Sequence, residues 1–226
     1  MNEASEVIIP IFGILDVTGE VIAMWILVAL LGIMSFILSK NLKERPGKFQ
    51  NVIEAGIEYL DGLFTGTLGH ERCRKYIAFL GSLFIFIIFA NYSGLIPGVG
   101  LTKYVKAPTS SLSVTAGLGI TAFLFLQIAS IKALGAKGYL KRFISPIAIM
   151  LPLLILDELV KPLSLSLRLF GNIFGEETVV EELYHIFPIG VPIIMMVLSL
   201  LFCALQAIVF TMLVSIYLDE ATELPH

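Results

Sequence analysis

Five apolar segments, each long enough to cross a bilayer, constrain this chain more than anything else in it. Val21–Ser39, Tyr76–Ile96 and Leu112–Ile131 are close to the roughly 20 apolar residues that a spanning helix needs. Pro146–Phe187 and Ile189–Leu218 are much longer. At ~1.5 Å per residue they would reach roughly 63 Å and 45 Å, against a hydrocarbon core about 30 Å thick. Inside that core no water is available, so every backbone N–H and C=O must be satisfied by the chain itself. Runs of this kind are therefore helices. The expected fold is an all-α integral membrane protein with five membrane-crossing helices, the last two forming a long, tilted hairpin. Pro152, Pro162, Gly171 and Gly175 are positions where those two can kink.

Composition supports a membrane domain: 57% of residues are hydrophobic and 15% charged, where a soluble domain carries about 25% charged. A net charge of −3 gives no footing for a nucleic-acid partner. The distribution of the basic residues is more informative. Lys40, Lys43, Arg45, Lys48, Arg72, Arg74 and Lys75 lie between the first two spans, and Lys132, Lys137, Lys141 and Arg142 between the third and fourth. Only Lys103 and Lys106 fall in the loops on the other side. Basic loops stay in the cytoplasm, so residues 1–20 are expected outside and the C-terminus inside. "MNEASEVIIPIFGILDVTGE" has no basic start and a short, interrupted apolar run, which argues against a cleavable signal.

Little here suggests catalysis. Cys73 and Cys203 fall in a charged stretch and an apolar run, an arrangement unsuited to a disulfide, and neither has a metal-ligand neighbour. His70, His185 and His226 are scattered, and no phosphate loop, dinucleotide fingerprint or HExxH occurs. No enzyme activity, cofactor or metal is expected. Between the first two spans, Phe49, Val52, Ile53, Gly56, Ile57, Leu60 and Phe64 follow helical spacing, with Gln50, Asn51, Glu54, Glu58 and Asp61 on the other face. Residues 49–64 thus read as an amphipathic helix at the cytoplasmic surface. Its acidic polar face suits a protein neighbour, or this chain's own loops, better than anionic lipid. "NYSGLIPG" (Asn91–Gly98) and "APTSS" (Ala107–Ser111) are turn-rich and bound an external loop.

The fourth segment carries "SLSLRLFGNIFGEE", Ser164–Glu177, with Arg168 in the middle of apolar sequence. A guanidinium stays protonated in any surroundings. It must be paired in space, reach water, or meet a partner outside this chain. At about 100° per residue, Asp157, Lys161, Ser164 and Asn172 share its face. Asp157 and Lys161 are four apart and can neutralise each other, which leaves Arg168 without a charge in its own turn. Glu177, Glu181 and His185 form a second polar stripe on the back of the helix. Titratable groups in a membrane mark ion or substrate paths; the other readings are a structural clamp for the arginine and a solvated helix end for the stripe. The last segment adds Ser199, Cys203 and Gln206, a weakly polar stripe that also fits ordinary helix packing.

"KPLSLSLRLFGNIFGEE" closely resembles the signature of subunit a of F-type ATP synthases. "RPGKFQ" (Arg45–Gln50), "NYSGLIP" (Asn91–Pro97), "PTSSLSVT" (Pro108–Thr115) and "LQAIVFTMLVSIYL" (Leu205–Leu218) follow in the order of that family, so the resemblance covers nearly the whole chain. It implies a stationary ion-channel subunit of bacterial type in the plasma membrane, with proteolipid c-ring and peripheral-stalk b-type partners, the rest of the synthase and lipid around it. The resemblance makes Arg168 the essential arginine facing the ring. Asn172, Gln206 and Glu177 become ion-translocation residues, and Glu176, Glu181, His185, Ser199, Asp157 and Lys161 candidates for the two half-channels. Many relatives carry a histidine where Ser199 stands, so the partner of Glu177 stays open between His185 and water. The coupling ion is expected to be the proton, with sodium as the alternative. An unrelated ion-coupled transporter competes less well, because such proteins show repeated halves and this chain shows none.

Overall fold

The computed structural model describes residues 9–11, 15–17, 19–40, 47–95, 108–144, 151–186 and 190–222. Among these are six α-helices: α1 (Gly19–Lys40), α2 (Lys48–Leu68), α3 (His70–Ser93), α4 (Leu112–Ile144), α5 (Leu151–Ile186) and α6 (Val191–Thr222). A 3-10 turn at Pro108–Ser110 precedes α4. Two short strands that the sequence did not announce, β1 (Ile9–Ile11) and β2 (Leu15–Val17), pair antiparallel with Pro10 opposite Asp16. Lys43, Arg45, Lys103 and Lys106 of the charge argument lie outside the described residues, as do residues 96, 146–150, 187 and 189 at the ends of the expected spans.

Among the described residues, four helices are long and apolar enough to cross a membrane: α1, α3, α4 as far as Gly135, and α6. The longest, α5, falls outside that criterion because Asp157, Glu158, Lys161, Arg168, Glu176 and Glu177 are spread along it. It is helical throughout, Pro162 included. At 36 and 32 residues, α5 and α6 would measure about 54 Å and 48 Å. Both exceed the ~30 Å of a bilayer core.

The third expected span ends in a reversal. Gly135, at φ 71°, ψ 163°, takes a conformation that a side chain would strain, and α4 breaks there into two limbs. A straight helix would put Tyr139 about 18 Å from Gln127. Instead, the Tyr139 hydroxyl donates to Gln127 Oε1 at 2.7 Å, so the second limb folds back beside the first.

The core is shared by α2 to α6. Phe64, Leu80, Ile87, Leu126, Leu169, Phe210 and Val214 are among its buried residues, and Phe79 stacks on Phe125 at 3.5 Å between centroids. By contrast, no described residue in the apolar part of α1 is fully buried, although several are half-buried. In α2, Leu60, Phe64 and Leu68 are buried, while Phe49, Val52 and Ile57 stay exposed. Its apolar stripe is therefore wider than the surface this chain covers. The two stretches expected to bound an external loop carry regular structure. Asn91–Ser93 complete the last turn of α3, whose end Gly94 caps by donating to Asn91 O at 3.2 Å. Pro108 and Thr109 are buried where the 3-10 turn meets α1, α3, α4 and α5.

Candidate functional site

Three groups of polar residues lie along α5, and they are held in different ways. Nearest its N-terminus is Lys161, buried and surrounded by acid. Its Nζ is 3.2 Å from Glu158 Oε1, 3.1 Å from Glu220 Oε2 at the end of α6, and 3.8 Å from Asp157 Oδ2. The Tyr217 ring lies 5.4 Å from the same nitrogen. Gln127 donates to Glu158 Oε2 at 3.0 Å and accepts from Tyr139. The chain of bonds thus runs from the folded-back limb of α4 through α5 to α6. Sequence reasoning paired Lys161 with Asp157 alone. That contact is the longest of the three, and Asp157 is largely exposed, because a lysine that points into the bundle reaches Glu158 and Glu220 first.

Two turns on, Arg168 is exposed on the outer face of α5. Among the described residues no carboxylate lies within ion-pair distance of it. Around it the surface is shallow: Ser164 is half-buried, Gly171 is exposed, and a Cβ at Gly171 or Gly175 would meet nothing within 4 Å. Exposed Leu163, Leu167 and Phe174 border this strip. A fixed positive charge therefore stands on an apolar face that leaves room for another helix.

The third group lies where α5 meets α6 and the end of α3. The Cys203 thiol donates to Glu176 Oε2 at 3.7 Å, and the Ser199 and Asn172 side chains lie against the same carboxylate. Asn91 Nδ2 reaches Cys203 O at 3.5 Å, and the Tyr92 hydroxyl donates to Leu200 O at 3.3 Å. Among the described residues, four buried polar atoms of this region have no hydrogen-bond partner: Asn91 Oδ1, Glu176 Oε1, Asn172 Nδ2 and Gln206 Nε2. Two accept and two donate. Water satisfies such a set, and buried water commonly fills polar sites left unsatisfied by the protein.

The residues anticipated from sequence divide accordingly. Arg168 stands apart on the surface. Asn172, Glu176 and Ser199 come together, with Cys203. Gln206 is buried one turn of α6 further on, and among the described residues no hydrogen bond joins it to Arg168 or Asn172. Glu177 is exposed, about 100° around the helix from Glu176. The side chains of Glu181 and His185 lie outside the described residues. Sequence reasoning missed Glu158, Glu220, Gln127 and Asn91. Glu158 was within reach of the lysine at i, i+3; the other three depend on which helices pack together.

Residues 21–219 match the family model described as ATP synthase A chain. A curated relative, "ATP synthase subunit a" of Moorella thermoacetica, is 39% identical over 206 residues, which is 91% of this chain and 91% of that protein.

Proposed function

The chain belongs to the ATP synthase A chain family, a membrane-sector component of the synthase, and from that premise we propose that it is the stationary ion-conducting subunit against which a proteolipid ring turns. The observation that carries the reading is the contrast between an exposed Arg168, with no carboxylate near it among the described residues, and a buried Lys161 neutralised within the chain. An intramembrane cation without a partner is costly. A carboxylate on each ring subunit supplies the partner, and the shallow strip of Ser164, Gly171 and Gly175 admits its helix.

A proton enters from outside through the hydrated cluster of Asn91, Asn172, Glu176, Ser199 and Gln206, and Glu176 relays it toward the ring. There it neutralises a carboxylate, which can then turn into lipid. After nearly a full turn it is released through a second aqueous path on the cytoplasmic side. Arg168 keeps the carboxylate between the two paths ionised, and its charge stops a proton from crossing directly. Each charge crossing the membrane delivers about 2.3 kcal/mol per 100 mV, which the ring converts to rotation. ATP chemistry lies in other subunits.

In this reading α5 makes the fifth crossing, at a steep tilt that brings its ~54 Å within the bilayer. Together with α6 it forms the hairpin that lines the ring. The basic residues put the N-terminus outside and the C-terminus in the cytoplasm, and the exposed acidic side of α2, Glu54 and Glu58, is left to a b-type stalk subunit.

The test is ATP-driven acidification of inverted membrane vesicles, with native protein and Arg168→Ala at equal assembly. Pumping lost while the ring remains bound is the expected result. Unchanged pumping would make Arg168 a structural clamp and sink the reading.

A further inference from the structure

On the side of α5 away from Arg168, the helix presses directly on α4 at Gly119. A Cβ placed on Gly119 would stand 2.7 Å from the carbonyl oxygen of Pro162 and 3.3 Å from Ser166 Cβ. The nearer contact is with backbone, so no change of rotamer relieves it. Gly119 is buried, and so is Ser166. The Ser166 hydroxyl donates to Pro162 O at 2.9 Å, which holds the same carbonyl in place. Around the axis of α5, Pro162 and Ser166 lie about 120° and 160° from Arg168. This tight contact of the two helices is thus made nearly behind the arginine.

We propose that Gly119 is a positioning residue for Arg168: its missing side chain lets α5 seat against α4 and so sets how far the guanidinium stands out from the protein. The inference rests on the reading of Arg168 given above. A methyl group at 119 cannot be absorbed by α4 or α5 backbone, so α5 moves outward, carrying Arg168 toward whatever faces it. Protein interiors are close-packed, and such a shift is transmitted rather than lost. A guanidinium moved outward holds an ionised carboxylate longer. Turnover then falls while the barrier to direct proton passage stays in place, since the charge is still there. A merely loosened bundle would do the reverse and leak.

Gly117 provides the matched control: it lies two residues before Gly119 on the same helix, and a Cβ there meets nothing within 4 Å. ATP-driven pumping and passive proton leak are measured on the same inverted vesicles, at equal amounts of assembled synthase, for Gly119→Ala, Gly117→Ala and Arg168→Ala. Gly119→Ala is expected to pump about 10-fold more slowly or worse, as small misplacements of reacting groups do, with leak unchanged. Gly117→Ala is expected to match native protein. Native-like pumping by Gly119→Ala overturns the inference. So does a loss accompanied by matching leak, or an equal loss in Gly117→Ala. If Gly119→Ala fails to assemble, Ser166→Thr adds a methyl to the same crossing from the other helix and must show the same slowing; normal pumping by the assembled variant overturns the inference. Normal pumping by Arg168→Ala would sink the reading of Arg168 and this inference with it, whereas lost pumping there beside normal pumping in Gly119→Ala sinks the inference alone.

Discussion

Lys161 and Arg168 are seven residues apart on one helix, about 10.5 Å along its axis and 20° around it, yet their surroundings are opposite. Lys161 is 6% exposed and touches three carboxylates of its own chain. Arg168 is exposed and, among the described residues, touches none. The difference comes from α6, whose last turns bring Tyr217 and Glu220 over the lysine. A charge satisfied within the chain ties helices together and offers nothing to a neighbour. One left open in a membrane protein points to a partner.

The sharpest way to break that contrast is to keep the charge at Arg168 and change its shape. Arg168→Lys substitutes a compact, strongly hydrated ammonium for a planar, weakly hydrated fork. With the charge retained, assembly is expected to survive. Proton pumping at equal assembly is expected to fall by about 1000-fold, the upper range for losing one well-placed electrostatic group. Near-normal pumping would mean that a positive charge of any shape suffices, and the arginine would then differ from the lysine only in exposure.

A second pair sharpens the same distinction between turned-in and turned-out groups. Glu176 and Glu177 are adjacent, but Glu176 lies against Asn172, Ser199 and Cys203, while Glu177 is exposed. Resemblance to the family favours Glu177 as the half-channel carboxylate; geometry favours Glu176. Glu176→Gln keeps the shape and removes the titratable proton, and is expected to slow pumping about 100-fold, the low end for a proton-transfer group. Glu177→Gln is expected to have a much smaller effect. The opposite order, measured on the same vesicles, would return the role to Glu177 and make the inner cluster a packing feature.

These pairs also mark what could be read from sequence. Apolar length alone announces the helices, because a backbone in lipid has few ways to satisfy itself. The isolation of Arg168 was legible for a similar reason: no acid stands near it in its own turn. The reversal at Gly135 was not legible, since a glycine near the end of an apolar run equally marks a helix stop. The choice between Glu176 and Glu177 turns on the packing of α5 against α6, and a helical wheel with its origin at Arg168 has no knowledge of that neighbour. Asn91 falls within the expected span Tyr76–Ile96, but "NYSG" does not say which seam its amide enters; α3 runs to Ser93 and carries it into the cluster. Local pattern identifies elements well, whereas the assignment of a polar residue to one seam or another needs tertiary contacts.

The smallest effect on pumping is expected at Lys161, and there the comparison can fail most informatively. Among the described residues its cluster has one cation and three carboxylates, so their field does not attract an acid on a partner. Lys161→Met keeps the length of the stem and takes the ammonium away from Glu158, a largely buried carboxylate. Breaking a buried ion pair costs about 3–5 kcal/mol. Glu220 and Asp157 are half or more exposed, and water screens them, so a cost of about 1–3 kcal/mol is the better expectation. That cost should appear as a lower yield of assembled protein and a lower unfolding temperature, with pumping per assembled complex close to native. Adding Glu158→Gln removes the carboxylate that faced the ammonium and should recover part of the loss, because the two side chains belong to one network. If Lys161→Met instead assembles normally and pumps as poorly as Arg168→Lys, the lysine also faces the ion path, and burial within the chain would no longer separate the two cations.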